Sequence, residues 1–246
     1  MSIVNFYEHL PKKYHSKIID YKNKDLLKIN LPMRGILLGA SASGKSNLLL
    51  NLISQISAFN KIYLFVKDPE EPLYQFLIDS LQKVEKKTRE QIIFYSNDMS
   101  DIPSYEEFRL EDNTLCVFDD IINSKSTELA RVANLYTMGR KRNVSCLFLS
   151  QSYFKIPLII RQNTDYVFIL RVNTVRDLHR ILAEYELNAT REQIEEMYKI
   201  STKNRGDFLL IDVPTLNPDL RFRHNFKGFV LTGKSNLDNS DYEDDE

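Results

Sequence analysis

The eight residues Gly39-Ala40-Ser41-Ala42-Ser43-Gly44-Lys45-Ser46 constrain this chain more than any others. They complete the pattern G-x-x-x-x-G-K-[ST]. An apolar stretch, Gly35 to Leu38, precedes them and reads as a buried strand. Asn47 to Ile56 follows and reads as a helix. A loop of this composition between a strand and a helix closes its backbone N–H groups around phosphates, and the helix N-terminus adds positive potential. Lys45 is expected to reach the β- and γ-phosphates, and the Ser46 hydroxyl to ligate Mg²⁺. Gly39 through Ser46, with Asn47 beside them, are the expected nucleotide-binding residues. The chain is therefore expected to bind a nucleoside triphosphate.

The rest of the sequence supplies a frame for that loop. Short apolar runs recur at Gly35–Leu38, Lys61–Val66, Gln91–Tyr95, Thr114–Phe118, Ser145–Ser150, Tyr166–Leu170 and Asp207–Ile211. Helical patterns fall between them at Lys45–Ser57, Pro72–Val84, Ser126–Met138, Val175–Tyr185 and Thr190–Lys199. Strands that alternate with helices predict crossover units and a mostly parallel sheet flanked by helices, an α/β fold. Runs such as Leu115–Phe118 are apolar at consecutive positions, as strands buried on both faces are. Three segments are expected: an N-terminal extension over 1–33, an ATPase core over 34–232, and an acidic tail over 233–246. Hydrophobic residues make up 43% of the chain, enough for a large core.

Overall charge does not announce a nucleic-acid binder. Lys and Arg number 33 against 34 Asp and Glu, so any basic surface must be local. Cys116 and Cys146 lie in apolar runs and read as buried free thiols. The histidines His9, His15, His179 and His224 show no ligand spacing with them, which argues against a zinc site. No apolar run approaches a membrane span of roughly 20 residues, and no signal peptide is expected. The triplet Gly233-Lys234-Ser235 echoes the end of the phosphate loop but lacks the upstream Gly, and reads as coincidence.

A second half of the site follows downstream. Leu115-Cys116-Val117-Phe118 runs into Asp119-Asp120, which places two carboxylates at a strand's C-terminal edge, where open α/β sheets bind ligands. Asp119 is expected to hold Mg²⁺ through water, and Asp120 to orient and polarise the attacking water. Ser145 to Ser150 is another apolar strand and ends in Gln151. If its strand neighbours the acid strand, Gln151 can contact the γ-phosphate or the water. Between these strands lies Gly139-Arg140-Lys141-Arg142-Asn143. It reads either as a solvated basic loop at a helix C-terminus or as an arginine finger supplied to a neighbouring subunit. Spacing alone does not choose between Arg140 and Arg142.

The order of these motifs resembles a known family, the poxvirus-type genome-packaging ATPases of large DNA viruses and virophages, a branch of the FtsK–HerA superfamily. Residues 34–212 carry the resemblance. Its discriminating part runs from Arg140 through Gln151 to Ile159-Ile160-Arg161-Gln162-Asn163-Thr164-Asp165. The resemblance implies a RecA-like P-loop ATPase that forms a ring and drives double-stranded DNA into a preformed capsid, with ATP and Mg²⁺ as cofactors. It implies Arg140 as the finger, although this chain reads Arg-Lys where many relatives read Arg-His, which keeps Arg142 in play. Arg161 and Asn163 match family positions that fit either an inter-subunit or phosphate-facing contact or a capped helix end with a structural Arg. The implied partners are DNA phosphates, further copies of the chain and a capsid or portal vertex component. DNA contacts are expected from Asn123–Lys125 and Tyr153–Lys155. The implied place of action is the host cytoplasm, in virus factories or with the virion. Competing readings are a nucleotide or small-molecule kinase, a cellular-type DNA translocase or helicase, a regulatory GTPase, and a scaffold that merely binds ATP. A GTPase would carry an N-K-x-D motif after Asp120, and none occurs there.

Overall fold

A computed structural model of the chain describes residues 4–11, 19–185 and 189–228. His15, the Gly233-Lys234-Ser235 triplet and the acidic tail lie outside them. Nine strands form one sheet: β1 (Arg34–Leu38), β2 (Lys61–Val66), β3 (Ile93–Ser96), β4 (Thr114–Asp119), β5 (Val144–Ser150), β6 (Tyr166–Ile169), β7 (Leu209–Asp212), β8 (Phe222–His224) and β9 (Lys227–Gly228). Their order across the sheet is β3-β2-β4-β5-β1-β6-β7-β8-β9. Every pairing from β3 to β6 is parallel, and the last three are antiparallel. The expected mostly parallel α/β sheet is present.

Seven α-helices accompany the described strands: α1 (Lys24–Leu27), α2 (Lys45–Ile56), α3 (Pro72–Thr88), α4 (Ser126–Met138), α5 (Leu158–Gln162), α6 (Val175–Ala183) and α7 (Arg191–Ser201). Alternate strand residues face two separate cores. On one face, Ile36, Phe118 and Phe148 pack with Val132 and Tyr136 of α4, Leu178 of α6 and Ile194 of α7. On the other, Leu37, Val117 and Leu149 pack with Leu48, Leu52 and Ile53 of α2 and with Tyr74 and Leu77 of α3. This double burial is why consecutive residues of β4 and β5 are apolar. Tyr21, Leu27, Ile29, Leu31 and Met33 complete the second core, so residues 19–33 pack on the sheet.

The sequence reading missed β8, β9 and the short helices α1 and α5. A four- or five-residue helix is too short to show a period. In β8, Phe222-Arg223-His224 hides a fully buried arginine. Arg223 donates to Asp212 at 3.0 Å and to the Leu27 carbonyl at 2.7 Å. A buried charge of this kind is tolerated only when paired, and the pairing is tertiary. Helix α3 also runs four residues past its expected end, to Thr88. The side chain of Glu85 in its last turn accepts from the N–H groups of Ile92 and Ile93 and so hands the helix to β3.

Candidate active site

The phosphate loop leaves β1 in the middle of the sheet. Gly39 N–H donates to the Ser150 carbonyl at 3.2 Å and Ala40 N–H to the Arg171 carbonyl at 2.7 Å. The loop is thereby anchored to the ends of both strands beside β1. Gly44 caps α2 with φ +108°, a left-handed conformation natural to glycine. A Cβ there would also come within 3.1 Å of Gly206 Cα. The Lys45 ammonium donates to the carbonyls of Gly39 at 3.0 Å and Ala40 at 2.9 Å. Burial pushes its pKa down, against the nearby negative charges of Asp119, Asp120 and Glu71. A half-buried cation held by neutral carbonyls is stabilised when an anion binds next to it.

Asp119 is the last residue of β4 and sits opposite Leu149 of β5 and Val66 of β2. Asp120 turns the chain with φ +55°, a region Asp and Asn tolerate better than most residues. Its N–H points to the Leu149 carbonyl at 3.4 Å. Burial raises the pKa of Asp119, while a hydrogen bond from Tyr74 and the charge of Lys45 pull it back down. The Tyr74 hydroxyl, from α3, donates to Asp119 Oδ2 and also meets the Ser46 side chain. Asp120 faces Lys67, with 3.9 Å between the charged atoms. Lys67 is largely exposed and Asp120 partly so, so that pair is weak.

Strand β5 lies between β1 and β4, and Gln151 follows its last residue. The sheet order therefore sets Gln151 between the phosphate loop and the acid pair, as expected if the strands were neighbours. Lys45, Ser46, Tyr74, Asp119, Asp120 and Gln151 line one cavity of about 310 Å³. That is the lower end of the range for small-molecule sites and suits a chain of phosphates.

The donor set also suits a hard divalent cation. The Ser46 hydroxyl and the Asp119 carboxylate share the Tyr74 hydroxyl, so both oxygens edge the same small space. Among the described residues no three His, Cys, Asp or Glu side chains cluster to hold a metal. One carboxylate and one hydroxyl match Mg²⁺, which keeps water and phosphate as its remaining ligands.

Arg140 is exposed, in the 3₁₀ turn Gly139–Arg142 just before β5. It thus stands at the opposite edge of the sheet from Gln151. The seven residues of β5 span roughly 20 Å at about 3.3 Å each, so Arg140 is remote from its own chain's cavity. Arg142 is tied down, donating to the Phe108 carbonyl at 3.0 Å. Arg161 pairs with Glu184 at 2.5 Å and lies over the ring of Tyr153 at 5.0 Å. Asn163 donates to the Ile159 carbonyl at 2.8 Å and closes α5. In the two candidate DNA loops, Asn123, Lys125 and Lys155 are exposed, but Tyr153 is buried at 2% exposure and hydrogen-bonds Glu184 and Tyr185. Sequence reasoning missed Tyr74, Lys67, Glu71, Arg205 and Gly206. Tyr74 shares the buried stripe of α3 with Leu77 and Ile78, where a tyrosine reads as core.

The chain is similar to several known proteins in sequence and in fold. The chain is 25% identical over 213 residues to the DNA packaging protein OPG160 of Variola virus, covering 82% of this chain and 78% of the relative. It is 26% identical over 192 residues to OPG160 of Vaccinia virus (strain Copenhagen), covering 76% and 70%. The fold matches B204, the DNA-packaging ATPase from Sulfolobus Turreted Icosahedral Virus, at TM-score 0.54 and 13% identity, over 75% of this chain and 94% of that one. It also matches the genome packaging NTPase B204 of Sulfolobus turreted icosahedral virus 2 in complex with AMPPCP, at TM-score 0.52 and 16% identity, with the same coverage. The resemblance expected from the motif order is borne out. A family model described as Poxvirus A32 protein matches residues 18–213, most of the 246-residue chain, and the chain belongs to that family.

Proposed function

We propose that this chain is a viral genome-packaging ATPase, a motor that hydrolyses ATP to move double-stranded DNA into a preformed capsid. The observation that carries the reading is the convergence of Lys45, Ser46, Asp119, Asp120 and Gln151 on one cavity at the C-terminal edge of the sheet, in a member of the Poxvirus A32 protein family.

ATP would lie with its phosphates in the loop Gly39–Ser46 and its γ-phosphate toward Asp120 and Gln151. Lys45 would exchange the carbonyls of Gly39 and Ala40 for phosphate oxygens. Asp120 accepts a proton from water as the water oxygen bonds to the γ-phosphorus. The bond from that phosphorus to the β,γ-bridging oxygen breaks, leaving ADP and inorganic phosphate. Gln151 orients the water and carries the presence or absence of the γ-phosphate into β5. Ser46 directly and Asp119 through water would hold Mg²⁺. The chemistry such an ion supplies is neutralisation of charge on the β- and γ-phosphate oxygens.

The placement of Arg140 supports action in trans. It is exposed and roughly 20 Å from its own cavity, counted along β5, so it would complete the site of an adjacent copy in a ring. Arg142, held by the Phe108 carbonyl, is the weaker candidate. DNA would be gripped through phosphates, without base reading, by exposed groups such as Lys155 on the same sheet edge as the cavity. Action at a capsid portal in the host cytoplasm follows from this reading.

The test is ATP hydrolysis with and without long double-stranded DNA, on wild type, Asp120→Asn and Arg140→Ala. DNA should stimulate the wild type, and each variant alone should be inactive. Mixing the two should restore turnover, because an Asp120→Asn subunit still supplies its Arg140 to a neighbour. Acceptor-dependent phosphate transfer by a monomer indifferent to DNA would sink the proposal in favour of a kinase.

A further inference from the structure

A second cavity, of about 340 Å³, adjoins the first across the phosphate loop. Ala42, Lys45, Ser46 and Glu71 border both. The acid pair and Gln151 are confined to the first, while Asn47, Leu73, Arg205 and Gly206 line only the second. A triphosphate whose γ end lies at Asp120 must carry its nucleoside out on the other side of the loop. We propose that this second cavity takes the nucleobase, and that the base stacks on the guanidinium of Arg205. The inference rests on the ATPase reading above and assigns the half of the nucleotide that reading leaves open.

The loop bearing Arg205 is built to hold still. Arg171 donates through Nε to the Thr202 carbonyl at 2.8 Å and through Nη2 to the Lys203 carbonyl. Asn204 donates to Asp207 at 3.1 Å. Gly206 abuts Gly44 of the phosphate loop so closely that a Cβ on Gly44 would lie 3.1 Å from Gly206 Cα. Arg205 Nε donates to the Ala42 carbonyl at 3.2 Å. That bond lies in the guanidinium plane. It fixes the plane against the phosphate loop and leaves the flat faces of the group available for stacking, which Arg does on aromatic surfaces. Next to it, Gly206 has φ +92°, and nothing lies within 4 Å of where its Cβ would be. A planar cation, an open glycine backbone and the half-buried Leu73 together make a slot for a flat ring. Every base has a π-face, so stacking of this kind tolerates exchange of one base for another.

The experiment is calorimetric titration of the full chain, with magnesium present, using two probes: a methylene-bridged ATP analogue and inorganic tripolyphosphate. Wild type, Arg205→Ala and Arg205→Lys are compared. Arg205→Ala should weaken the ATP analogue about tenfold, within the range for loss of one base stack, and leave tripolyphosphate unchanged. Arg205→Lys should not recover the loss, because an ammonium is not planar. The corresponding GTP analogue should bind the wild type within about threefold of the ATP analogue, as stacking without hydrogen-bond readout requires. Retained tripolyphosphate binding shows that the variants are folded. Equal weakening of both probes would overturn the proposal and make Arg205 a phosphate or loop residue. Unchanged affinity for the ATP analogue would overturn it as well. A wild type that binds tripolyphosphate keeps the phosphate site whatever Arg205 does. One that binds neither probe removes the ATPase reading and this inference with it.

Discussion

The two ends of β5 are built on opposite principles. At the N-terminal end polar groups are matched. Arg34 meets Asp165 through Nε at 2.9 Å and Nη2 at 2.5 Å, and its third nitrogen donates to the Tyr136 carbonyl at 3.2 Å. The Tyr136 hydroxyl donates to the Gly35 carbonyl at 2.7 Å, and Met33 N–H to Ser145 Oγ at 3.1 Å. At the C-terminal end polar groups are crowded but incompletely matched. Lys45 rests on neutral carbonyls, Ser43 Oγ is buried without a partner, and Asp120 takes a left-handed turn beside a second carboxylate. One end of the strand spends its polar groups on holding the sheet together. The other leaves them free to rearrange around a ligand, at a cost in local strain.

The sharpest way to break this contrast is Asp120→Asn. Hydrolysis should fall by roughly 10²–10⁴, the usual contribution of a positioned base. The urea midpoint should stay put, since Asn tolerates the same left-handed turn. A large loss of stability would mean that the C-terminal end is structural after all. Next in size is Asp165→Ala at the other end. It strands Arg34, whose side chain is only 12% exposed, and should destabilise the fold by about 3 kcal/mol in urea unfolding, a figure typical of a broken buried pair. Nucleotide affinity below the unfolding transition should be unchanged. If affinity falls with stability, the two ends are coupled.

Tyr74→Phe gives a smaller and more diagnostic effect. It removes one hydroxyl shared by Asp119 and Ser46 while keeping the ring that packs beside Leu77. A hydrogen bond to a charged group contributes about 1.5–3 kcal/mol. The magnesium concentration for half-maximal nucleotide binding should therefore rise about tenfold or more, with magnesium-free binding little changed. An unaltered magnesium requirement would reduce Tyr74 to a core residue. The smallest effect on stability belongs to Arg140→Ala, expected within about 0.5 kcal/mol for an exposed side chain. A larger shift in the unfolding curve would show that Arg140 braces its own chain.

Much of the candidate site was legible in the sequence because its parts are local. A phosphate loop needs contiguous small residues between a strand and a helix, so Gly39 to Ser46 could be read directly. Asp119 and Asp120 could be read from the apolar run before them, which marks a strand and hence its edge. Arg142 shows where this reasoning stops. Its spacing made it as good a finger as Arg140, but in the fold the Phe108 carbonyl holds its guanidinium while Arg140 is exposed. Arg161 likewise read as either a contact or a brace, and in the fold it braces Glu184. Tyr74 and Arg205 carried no local signal, because each reaches the phosphate loop from an element distant in sequence.

What the sequence determined by itself was the chemistry on offer and the alternation of strands and helices that carries it. Both depend on neighbours along the chain: backbone N–H groups in one loop, side-chain periods of two or 3.6, and carboxylates at the end of one apolar run. The tertiary structure alone decided which strands stand side by side. That order sets Gln151 between the phosphate loop and the acid pair, turns Arg140 to the far edge of the sheet, and buries Arg223 against Asp212. Strand order follows from the summed packing of two cores on opposite faces, a property of the whole chain that no single segment encodes.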